Sequence, residues 1–294
     1  MNINKKFVTT IKKTPIMRIL PDKIFLKIAY KMKFGKKLNL DNPKTFNEKI
    51  QWLKLNDRKD IYTIMVDKYE AKKYVSNIIG DEYIIPTLGI WDKFDDIDFD
   101  KLPNQFVLKC THDSGGLVIC KDKSKFDFTS AKQKINKCLK KNYYIHGREW
   151  PYKNVKPRII AEKYINNELN ENGDLPDYKL MCFNGRVRCT FVCTDRFIKD
   201  GLKITIFDKN WNVMPIKRTC PTSDKPILKP YNYDKMVEFS ELLSKNLKFI
   251  RVDFYEVNNT LYFGELTFYP SNGLGIFIPE SADELLGSWL DLDK

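Results

Sequence analysis

The chain lacks any apolar run long enough to cross a membrane. Among its 294 residues the longest apolar stretches are short, as at residues 274–279, whereas a membrane-spanning helix needs about 20 apolar residues in succession. The first 40 residues also lack the apolar segment of about 7–15 residues that a signal peptide requires. With only 13 glycines and 14 prolines, collagen-like and low-complexity sequence is excluded. These absences predict a cytoplasmic protein with one large domain or two smaller ones.

Cysteine is also sparse. The chain has seven cysteines, an odd number, and none has the C-x-x-C spacing of a zinc site. A secreted protein held by a disulfide framework would carry more cysteines in a shorter chain. We therefore expect these cysteines to be small hydrophobic residues of the core.

Acidic residues are almost missing from residues 1–40, where Asp22 is the single acid beside 11 lysines and arginines. This segment therefore carries +10 of the net charge of +13. A nucleic-acid-binding protein more often spreads basic residues over one face among aromatic residues, so no nucleic-acid partner is predicted. A basic, partly amphipathic segment suits a peripheral contact with an anionic membrane at its inner face, or with an anionic polymer. The alternative is a solvated helical arm.

The apolar pattern predicts helices first and strands later. Thr45 and Glu48 form a capping box at the start of a helix, and 3–4-residue spacing predicts further helices over residues 61–79, 129–141 and 233–246. A short strand is expected at residues 84–88. From residue 105 the residue pattern becomes typical of strands, which are predicted at residues 106–110, 117–120, 158–165, 178–183, 186–193, 203–207, 249–255 and 260–266. This order predicts an α+β fold with a mainly antiparallel body.

The last two strands form a predicted hairpin that carries paired charges. Arg251 and Asp253 are two residues apart and share one strand face, as do Glu265 and Thr267 on the second strand. Pairing around the turn at residues 258–259 can place Asp253 beside Glu265. Because Mg²⁺ takes one or two carboxylates together with substrate phosphates, this pair is a candidate Mg²⁺ site. The alternative is a charged, solvent-facing side of the hairpin.

Two further segments suggest nucleotide binding. Lys109 ends a strand and is followed by a polar loop with Ser114, Gly115 and Gly116, and such loops hold phosphates through backbone N–H groups and a lysine charge. The loop is not a Walker A motif, and a Gly-Gly pair is often only a hairpin turn. Near residues 162–165 a strand ends in a connecting segment, whose backbone can meet an adenine edge. Two residues that face one way, Asp177 and Lys179, suit a ribose hydroxyl and a phosphate.

Taken in chain order, these segments resemble the ATP-grasp fold, and within it the TupA-like ATP-grasp family. The resemblance covers residues 41–285, and its motifs lie at residues 43–52, 67–69, 102–103, 106–109, 147–150, 156–164, 177–179 and 264–270. It implies two α+β subdomains that clamp ATP, behind a helical N-terminal region. It also implies a function in teichuronopeptide or other surface-polysaccharide biosynthesis, with ATP and Mg²⁺ as cofactors.

The resemblance also implies a role for each matching residue. Two lysines, Lys68 and Lys109, would hold the ATP phosphates under the loop of Ser114, Gly115 and Gly116. The adenine would be lined by Glu162, Lys163 and Ile165, the ribose would meet Asp177, and Lys179 would meet a phosphate or the acyl group. Arg251 would stabilise the negative charge of the intermediate. Asp253, Glu265 and Thr267 would hold Mg²⁺, although Thr267 stands where many ATP-grasp enzymes have asparagine, and Asn272 is the alternative ligand.

The implied function is an ATP-dependent carboxylate–amine ligase that joins an amino acid to a uronic acid of a cell-surface glycan through an acyl phosphate. A glycosyltransferase is one alternative, for which residues 98–100 and 291–293 supply Asp-x-Asp sequences. A non-catalytic module that binds an anionic glycan or membrane is another. We expect three regions: a basic segment at residues 1–40, a helical region at residues 41–104, and the ATP-grasp region at residues 105–294.

Overall fold

A computed structural model describes residues 18–165, 175–196 and 201–293. Within these ranges the α-helices are α1 (Asp22–Phe34), α2 (Phe46–Asn56), α3 (Ile61–Val66), α4 (Glu70–Ile79), α5 (Phe128–Leu139), α6 (Tyr143–Gly147), α7 (Tyr233–Leu243) and α8 (Ser281–Ser288). The strands are β1 (Thr87–Trp91), β2 (Phe106–Cys110), β3 (Leu117–Cys120), β4 (Ile159–Lys163), β5 (Asp177–Phe183), β6 (Arg186–Thr194), β7 (Lys203–Asp208), β8 (Phe249–Val257) and β9 (Thr260–Thr267).

The strands form two antiparallel sheets. The four-stranded sheet has the order β1-β4-β2-β3, and the five-stranded sheet has the order β7-β6-β5-β8-β9. The predicted α+β class with an antiparallel body is thus confirmed. The two sheets have separate hydrophobic cores, each closed by helices. An arrangement of two sheets leaves a cleft between them in which a ligand can lie.

The capping box predicted at α2 is present. The Thr45 side chain accepts from the backbone N–H of Glu48, and the Glu48 carboxylate accepts from the backbone N–H of Thr45. Each satisfies a backbone donor that the start of a helix leaves unpaired. The cysteines are all free, and only Cys220 is not fully buried. Their predicted role as small core residues is confirmed.

Two predicted elements differ from the structure. The helix expected over residues 61–79 is broken into α3 and α4, because Asp67 accepts from the backbone N–H groups of Tyr69 and Glu70 and starts a new helix. The second oxygen of Asp67 pairs with Arg158 at 2.8 Å, a tertiary contact that local periodicity does not contain. The strand expected at residues 84–88 is also wrong in its bounds, since β1 covers Thr87–Trp91.

The described part of the basic N-terminal segment is packed onto the fold. Helix α1 buries Phe25, Leu26, Ala29 and Tyr30, and its core includes Trp52 of α2. The buried guanidinium of Arg148 lies over the Phe25 ring at 4.5 Å and donates to the carbonyl oxygens of Arg18 and Leu20. A solvated arm is therefore wrong for α1. Residues 1–17 lie outside the described residues.

The predicted boundary between residues 104 and 105 divides one sheet. β1 precedes that boundary, yet it pairs with β4, which follows it. The four-stranded sheet is thus built from both sides of the expected division, which is a correction to it. In the ranges that the structure describes, no helix is both long and apolar enough to span a membrane.

Candidate active site

One face of the five-stranded sheet carries charged residues that the sequence singles out. Asp177 and Lys179 lie two residues apart on β5, and Arg251 and Asp253 lie two apart on β8. The strands pair so that Lys179 lies opposite Asp253, and Asp253 lies opposite Glu265 of β9. Side chains at directly opposite positions share one face of a sheet. The predicted pairing of Asp253 with Glu265 is confirmed.

Ion pairs join these residues into one network. Arg251 donates to Asp253 from Nε at 2.6 Å and from Nη2 at 2.7 Å, and Nη2 also donates to Glu265 Oε1 at 2.8 Å. Lys179 Nζ contacts Asp253 Oδ2 and lies 2.6 Å from Asp177 Oδ2. Two cations are therefore held among three carboxylates. Such fixed charges need little rearrangement when a charged ligand arrives.

Burial and neighbouring charges act in opposite directions on the carboxylates. Burial raises the pKa of Glu265, but the charges of Arg251, Lys68 and Lys179 outweigh it and hold that pKa at about 2. Burial, with the neighbouring carboxylates, raises the pKa of Asp253, against the opposing effect of Arg251 and Lys179. Burial would also lower the pKa of Arg251, but Asp253 and Glu265 raise it. At neutral pH the network therefore keeps Glu265 ionised beside a charged arginine.

The four-stranded sheet contributes a second charged cluster, centred on Glu162 of β4. The Glu162 carboxylate lies 2.5 Å from Lys109 Nζ of β2 and 2.6 Å from Lys72 Nζ of α4. Burial alone would raise the pKa of Glu162, but the two lysines lower it to about 2. Lys72 also donates to the carbonyl oxygen of Ile85 at 2.6 Å. The predicted phosphate-binding Lys109 is thus held in place by a buried carboxylate.

Lys68 lies where α3 and α4 are separated, and it reaches the loop that follows β2. Its backbone N–H donates to the carbonyl oxygen of Thr111 at 3.0 Å, and its Nζ donates to the carbonyl oxygen of Asp113 at 2.6 Å. Its charge also acts on Glu265. The structure therefore holds Lys68 against the loop, where its charge also reaches Glu265.

The loop itself turns at the two glycines. Gly115 has a φ of 111°, a conformation that residues with a side chain rarely adopt. The backbone N–H of Gly116 donates to Asp113 Oδ1 at 3.1 Å. Ser114 is exposed and lies close to Tyr143. The loop joins the antiparallel pair β2 and β3, so the hairpin geometry is present.

A cavity of about 350 Å³ connects the two clusters. Apolar side chains from both sheets and the connecting segments form much of its wall, and Lys109, Glu162 and Asp177 supply charges. The remaining lining residues are Ile85, Val107, Leu117, Ile119, Lys121, Lys163, Tyr164, Ile165, Leu175, Arg196 and Tyr255. The structure thus places Lys163 and Ile165, with Glu162, at one cavity. An apolar cavity with a few charged groups is typical of small-molecule sites.

Asp177 stands at the polar side of this cavity. Its Oδ2 accepts from Arg196 at 2.8 Å and lies near Lys179, whereas its buried Oδ1 has no hydrogen-bond partner among residues 18–165, 175–196 and 201–293. An unsatisfied buried acceptor is costly unless a ligand or water donates to it. This oxygen therefore fits a hydroxyl group of a ligand.

The residues predicted to hold Mg²⁺ supply a minimal donor set. Asp253 and Glu265 offer carboxylate oxygens on adjacent strands, which suits a cation that also takes oxygens from its substrate. Thr267 Oγ1 lies 3.5 Å from Glu265 Oε1, whereas the Asn272 side-chain oxygen accepts from Lys54. Within the described ranges no three His, Cys, Asp or Glu residues form a metal-binding group. The two carboxylates fit Mg²⁺ that also takes oxygens from substrate phosphates.

Sequence reasoning missed three charged residues near the site: Lys72, Arg196 and Glu149. Lys72 looks like an ordinary helix lysine, and Arg196 follows a strand end, so neither carries a local signal. Glu149 lies in a motif that the sequence analysis quotes without a role. Burial raises its pKa to about 7, against the opposing charges of Lys54 and Arg251. Of the three residues, only Glu149 had a signal in the sequence, namely its place in the motif at residues 147–150.

Solved structures similar to this chain include ATP-dependent enzymes. A D-alanine–D-alanine ligase from Bacillus anthracis, complexed with ATP, has 19% identity and a TM-score of 0.38, with 70% of this chain and 54% of that chain covered. A D-alanine–D-alanine ligase from Helicobacter pylori has 14% identity and a TM-score of 0.46, with 85% and 70% covered. An N5-carboxyaminoimidazole ribonucleotide synthetase with ADP has 10% identity and a TM-score of 0.44, with 85% and 58% covered. This chain thus spans only part of each of these proteins.

The family comparison covers most of the chain. No curated protein matches the sequence. The model of the TupA-like ATPgrasp family, however, matches residues 48–291, which include both sheets and both charged clusters. The match confirms the resemblance that the motifs carry, together with the ATP-grasp fold. The chain belongs to the TupA-like ATP-grasp family.

Proposed function

We propose that the protein is an ATP-dependent carboxylate–amine ligase that links an amino acid to a uronic acid of a cell-surface polysaccharide. The observation that carries this proposal is the charged network of Lys179, Arg251, Asp253 and Glu265, which lies on the sheet face next to the cavity. Its two cations, Lys179 and Arg251, can stabilise a transferring phosphoryl group and an oxyanion in one place. The glycan acceptor is inferred from the family alone.

The nucleotide is proposed to lie in the cavity between the sheets. The apolar walls would hold the adenine against the backbone of residues 162–165, and the unsatisfied oxygen of Asp177 would accept a hydrogen bond from the ribose. Lys68 and Lys109 would bind the phosphates, with the loop of Ser114, Gly115 and Gly116 over them. The positions of both lysines, each held by a hydrogen bond or ion pair, support this orientation.

Mg²⁺ would be held by Asp253 and Glu265, with an oxygen of Thr267 or Asn272 as the further ligand. When bound it would neutralise phosphate charge. Both carboxylates already lie beside cations in the protein, and Lys68 acts on Glu265. These residues would therefore keep the phosphate end of the nucleotide close to Lys179 and Arg251.

The proposed reaction proceeds in two steps. A carboxylate oxygen of the acceptor attacks the γ-phosphorus of ATP, and the bond between this phosphorus and the oxygen that bridges to the β-phosphate breaks. ADP departs, and the acceptor carboxylate has become an acyl phosphate. The amine nitrogen then attacks the acyl carbon, loses a proton, and displaces inorganic phosphate to give an amide. Lys179 would hold the acyl or phosphoryl oxygens, and Arg251 would stabilise the oxyanion of the second step. No cysteine or serine nucleophile is required.

The glycosyltransferase alternative finds no support at its Asp-x-Asp sequences. Asp98 accepts from the backbone N–H of Asp100 and pairs with the exposed Lys101. Asp291 accepts from the backbone N–H of Asp293. These acids serve local turns away from the cavity-lining residues, so we retain the ligase as the proposed function.

A screen for ADP release tests the proposal. We expect release with Mg-ATP only when an amino acid and a uronic-acid acceptor are both present, and a product heavier by the amino acid minus water. Arg251→Lys should lower kcat by a factor of about 10 or more, since a lysine cannot donate the paired hydrogen bonds of a guanidinium. Consumption of a nucleotide sugar, or ADP release that needs neither substrate, would contradict the proposal.

We also propose a peripheral contact with an anionic surface through α1. While α1 buries one side on the fold, Lys23, Lys27 and Lys31 form an exposed stripe, and Ile24 is 47% exposed beside it. Each such lysine near an anionic surface is worth about 1 kcal/mol. Replacing these three lysines by glutamate should abolish low-salt sedimentation with phosphatidylserine vesicles. The control replaces three exposed lysines on or directly after α5, Lys134, Lys137 and Lys140, by glutamate. Equal effects of the two triple variants on sedimentation would refute the contact.

A further inference from the structure

The segment between β7 and α7 contributes an arginine for which the proposed reaction has no role so far. Arg218 is partly buried, and no carboxylate oxygen of the described ranges lies within ion-pair distance of it. Arg148, Arg158 and Arg251 are the other arginines of those ranges that are not exposed, and each pairs with a carboxylate. A partly buried guanidinium without an anion is costly, since a buried charge is normally paired.

The surroundings hold the Arg218 guanidinium in a defined place. It lies over the Phe277 ring at 4.5 Å and 5.9 Å from the ring centre of Phe191, and its Nη2 donates to Ser271 Oγ at 3.1 Å. Contacts of a cation with aromatic faces orient it without neutralising its charge. The pairing of Lys217 with Ile278 through two backbone hydrogen bonds fixes the neighbouring backbone.

The space for this guanidinium is built into the chain. A Cβ atom on Gly275 would lie 2.2 Å from Arg218 Nη2, so a residue with a side chain could not stand there without displacing the arginine. Gly275 is itself fixed, because its N–H donates to Asn47 Oδ1 at 3.2 Å and its carbonyl accepts from Asn47 Nδ2 at 2.8 Å. Asn47 is in turn held by Asp283 of α8. Helices α2 and α8 thus support the place that Arg218 occupies.

Arg218 lies beside the face of the five-stranded sheet that carries the charged network. Phe191 of β6 lies directly opposite Lys179, which lies opposite Asp253. Ser271 lies four residues after Thr267, which is the last residue of β9. Burial lowers the pKa of Arg218, with the charge of Arg251 acting in the same direction and that of Asp283 in the opposite one. The guanidinium packs on Phe191, which shares a sheet face with Lys179, and Arg218 is not among the residues that line the nucleotide cavity.

We propose that Arg218 binds the non-reacting carboxylate of the amine substrate, so that the substrate is a free amino acid and not a simple amine. This inference rests on the proposed function. The reacting carboxylate belongs beside Arg251 and Lys179, whereas an incoming amino acid brings a second carboxylate that stays unchanged. A planar guanidinium that forms no ion pair with the described residues matches that carboxylate through two parallel hydrogen bonds. The Ser271 hydroxyl would orient the guanidinium for this contact.

The test compares free amino acids with the matching amino-acid amides, which keep the amine and lose the carboxylate. Binding of each to the Mg-ADP-loaded protein is measured by calorimetry or ligand-observed NMR. The wild type should bind at least one acid about tenfold or more tightly than its amide. Arg218→Gln should weaken binding of the acid only and reduce that ratio to about 1, and Arg218→Lys should recover part of it. Arg188→Gln, an exposed arginine on β6, should leave the ratio unchanged.

Gly275→Ala provides a second route, because it displaces the guanidinium and keeps the charge in the chain. It should reduce the ratio as Arg218→Gln does, with circular dichroism used to check that both variants fold. A wild type that does not distinguish any acid from its amide, or an Arg218→Gln variant with an unchanged ratio, would overturn the inference. If only the proposed function is wrong, the preference for a free carboxylate would still depend on Arg218, but no amino acid would support ADP release with any uronic-acid acceptor.

Discussion

At the scale of single residues, the site is organised by buried carboxylates that hold cations. Glu162 joins Lys109 of β2 to Lys72 of α4, and thereby fixes a helix to the four-stranded sheet at the edge of the cavity. Breaking such a pair leaves an uncompensated charge in a poorly solvated place. A carboxylate of this kind contributes both to stability and to the position of a ligand-binding lysine.

Glu162→Gln should lower the free energy of unfolding by about 3 kcal/mol at pH 7. Because the lysines depress the pKa of Glu162 to about 2, its contribution is complete above about pH 4.5 and is lost as the pH falls toward 2. The difference between wild type and variant in urea unfolding should therefore shrink in acid. Asp98→Asn, at an exposed pair with Lys101, is the control and should change stability little. A Glu162→Gln variant as stable as the wild type at pH 7 would contradict this.

Glu149 should show the opposite dependence on pH. Burial raises its pKa to about 7 in the folded protein, so folding favours the protonated form and the wild type loses stability as the pH rises from about 4.5 through 7. Glutamine cannot ionise. The free energy of unfolding of Glu149→Gln should therefore rise relative to that of the wild type by roughly 1–3 kcal/mol between pH 5 and pH 8. Urea unfolding at the two pH values measures the change. A difference that is independent of pH, or of the opposite sign, would show that Glu149 is ionised in the fold.

At the scale of elements, close backbone contacts fix where the charged strands and helices lie. Helix α8 meets the start of α2 at Gly287, where a Cβ atom would lie 2.1 Å from the carbonyl oxygen of Lys44. The same junction includes the Lys49 ammonium, which donates to the carbonyl oxygens of Gly287 and Leu290. Because α8 also holds Asn47 through Asp283, this junction supports the loop that follows β9.

Gly287→Ala should destabilise the protein by about 1–3 kcal/mol, because the backbone atoms around the new methyl group must move apart. Helix propensity alone predicts the opposite sign, a gain of about 1 kcal/mol for alanine. Glu284→Ala, at an exposed position of the same helix, gives the matched control. Thermal unfolding of both variants decides between the two effects, and a Gly287→Ala variant that is more stable than the wild type would show that the helices do not approach this closely.

Elements with local signals could be predicted from the sequence, whereas those set by tertiary contacts could not. The turn at Asn258 and Asn259, both with φ near 50–59°, predicts the hairpin of β8 and β9. That turn alone would place Asp253 opposite Gly264, and a bulge between the strands shifts the register so that Asp253 lies opposite Glu265. The break between α3 and α4 could not be predicted, since it depends on Asp67 and its partner Arg158 far along the chain.

The same limit applies to the site. Lys109 and Glu265 lie in local motifs that the sequence analysis singled out, and the structure places each of them in one of the two charged clusters. Lys72 and Arg218 lie in no such motif. Lys72 is one of two adjacent lysines on α4, and Arg218 lies in an irregular segment. Their positions depend on Glu162 and on Phe277, respectively, which no local pattern connects to them.

At the scale of the whole molecule, the N-terminal helix is part of the fold and also carries a basic surface. Phe25 is 1% exposed beneath the Arg148 guanidinium, whereas its neighbour Ile24 is 47% exposed. Arg148 directly precedes Glu149, which is near the charged network. The packing of α1 therefore reaches the segment that borders the site.

Phe25→Ala should destabilise the protein by about 3 kcal/mol, because it removes a buried aromatic ring and the support of Arg148. Ile24→Ala, one residue away but on the exposed side, should change stability by less than about 0.5 kcal/mol. The comparison is made by denaturant unfolding of the full chain. Equal and small effects at both positions would show that α1 is detached from the fold in solution.

If the protein activates a carboxylate with ATP, an oxygen atom of that carboxylate is transferred to the released phosphate, and this transfer can be measured. A uronic-acid acceptor labelled with ¹⁸O in its carboxylate is incubated with Mg-ATP, the amino acid and the protein, and the released phosphate is analysed by mass spectrometry. Attack of that carboxylate on the γ-phosphorus places one acceptor oxygen in each phosphate, so the account predicts phosphate with one ¹⁸O atom, together with ADP. Unlabelled phosphate, or label recovered in AMP, would contradict it.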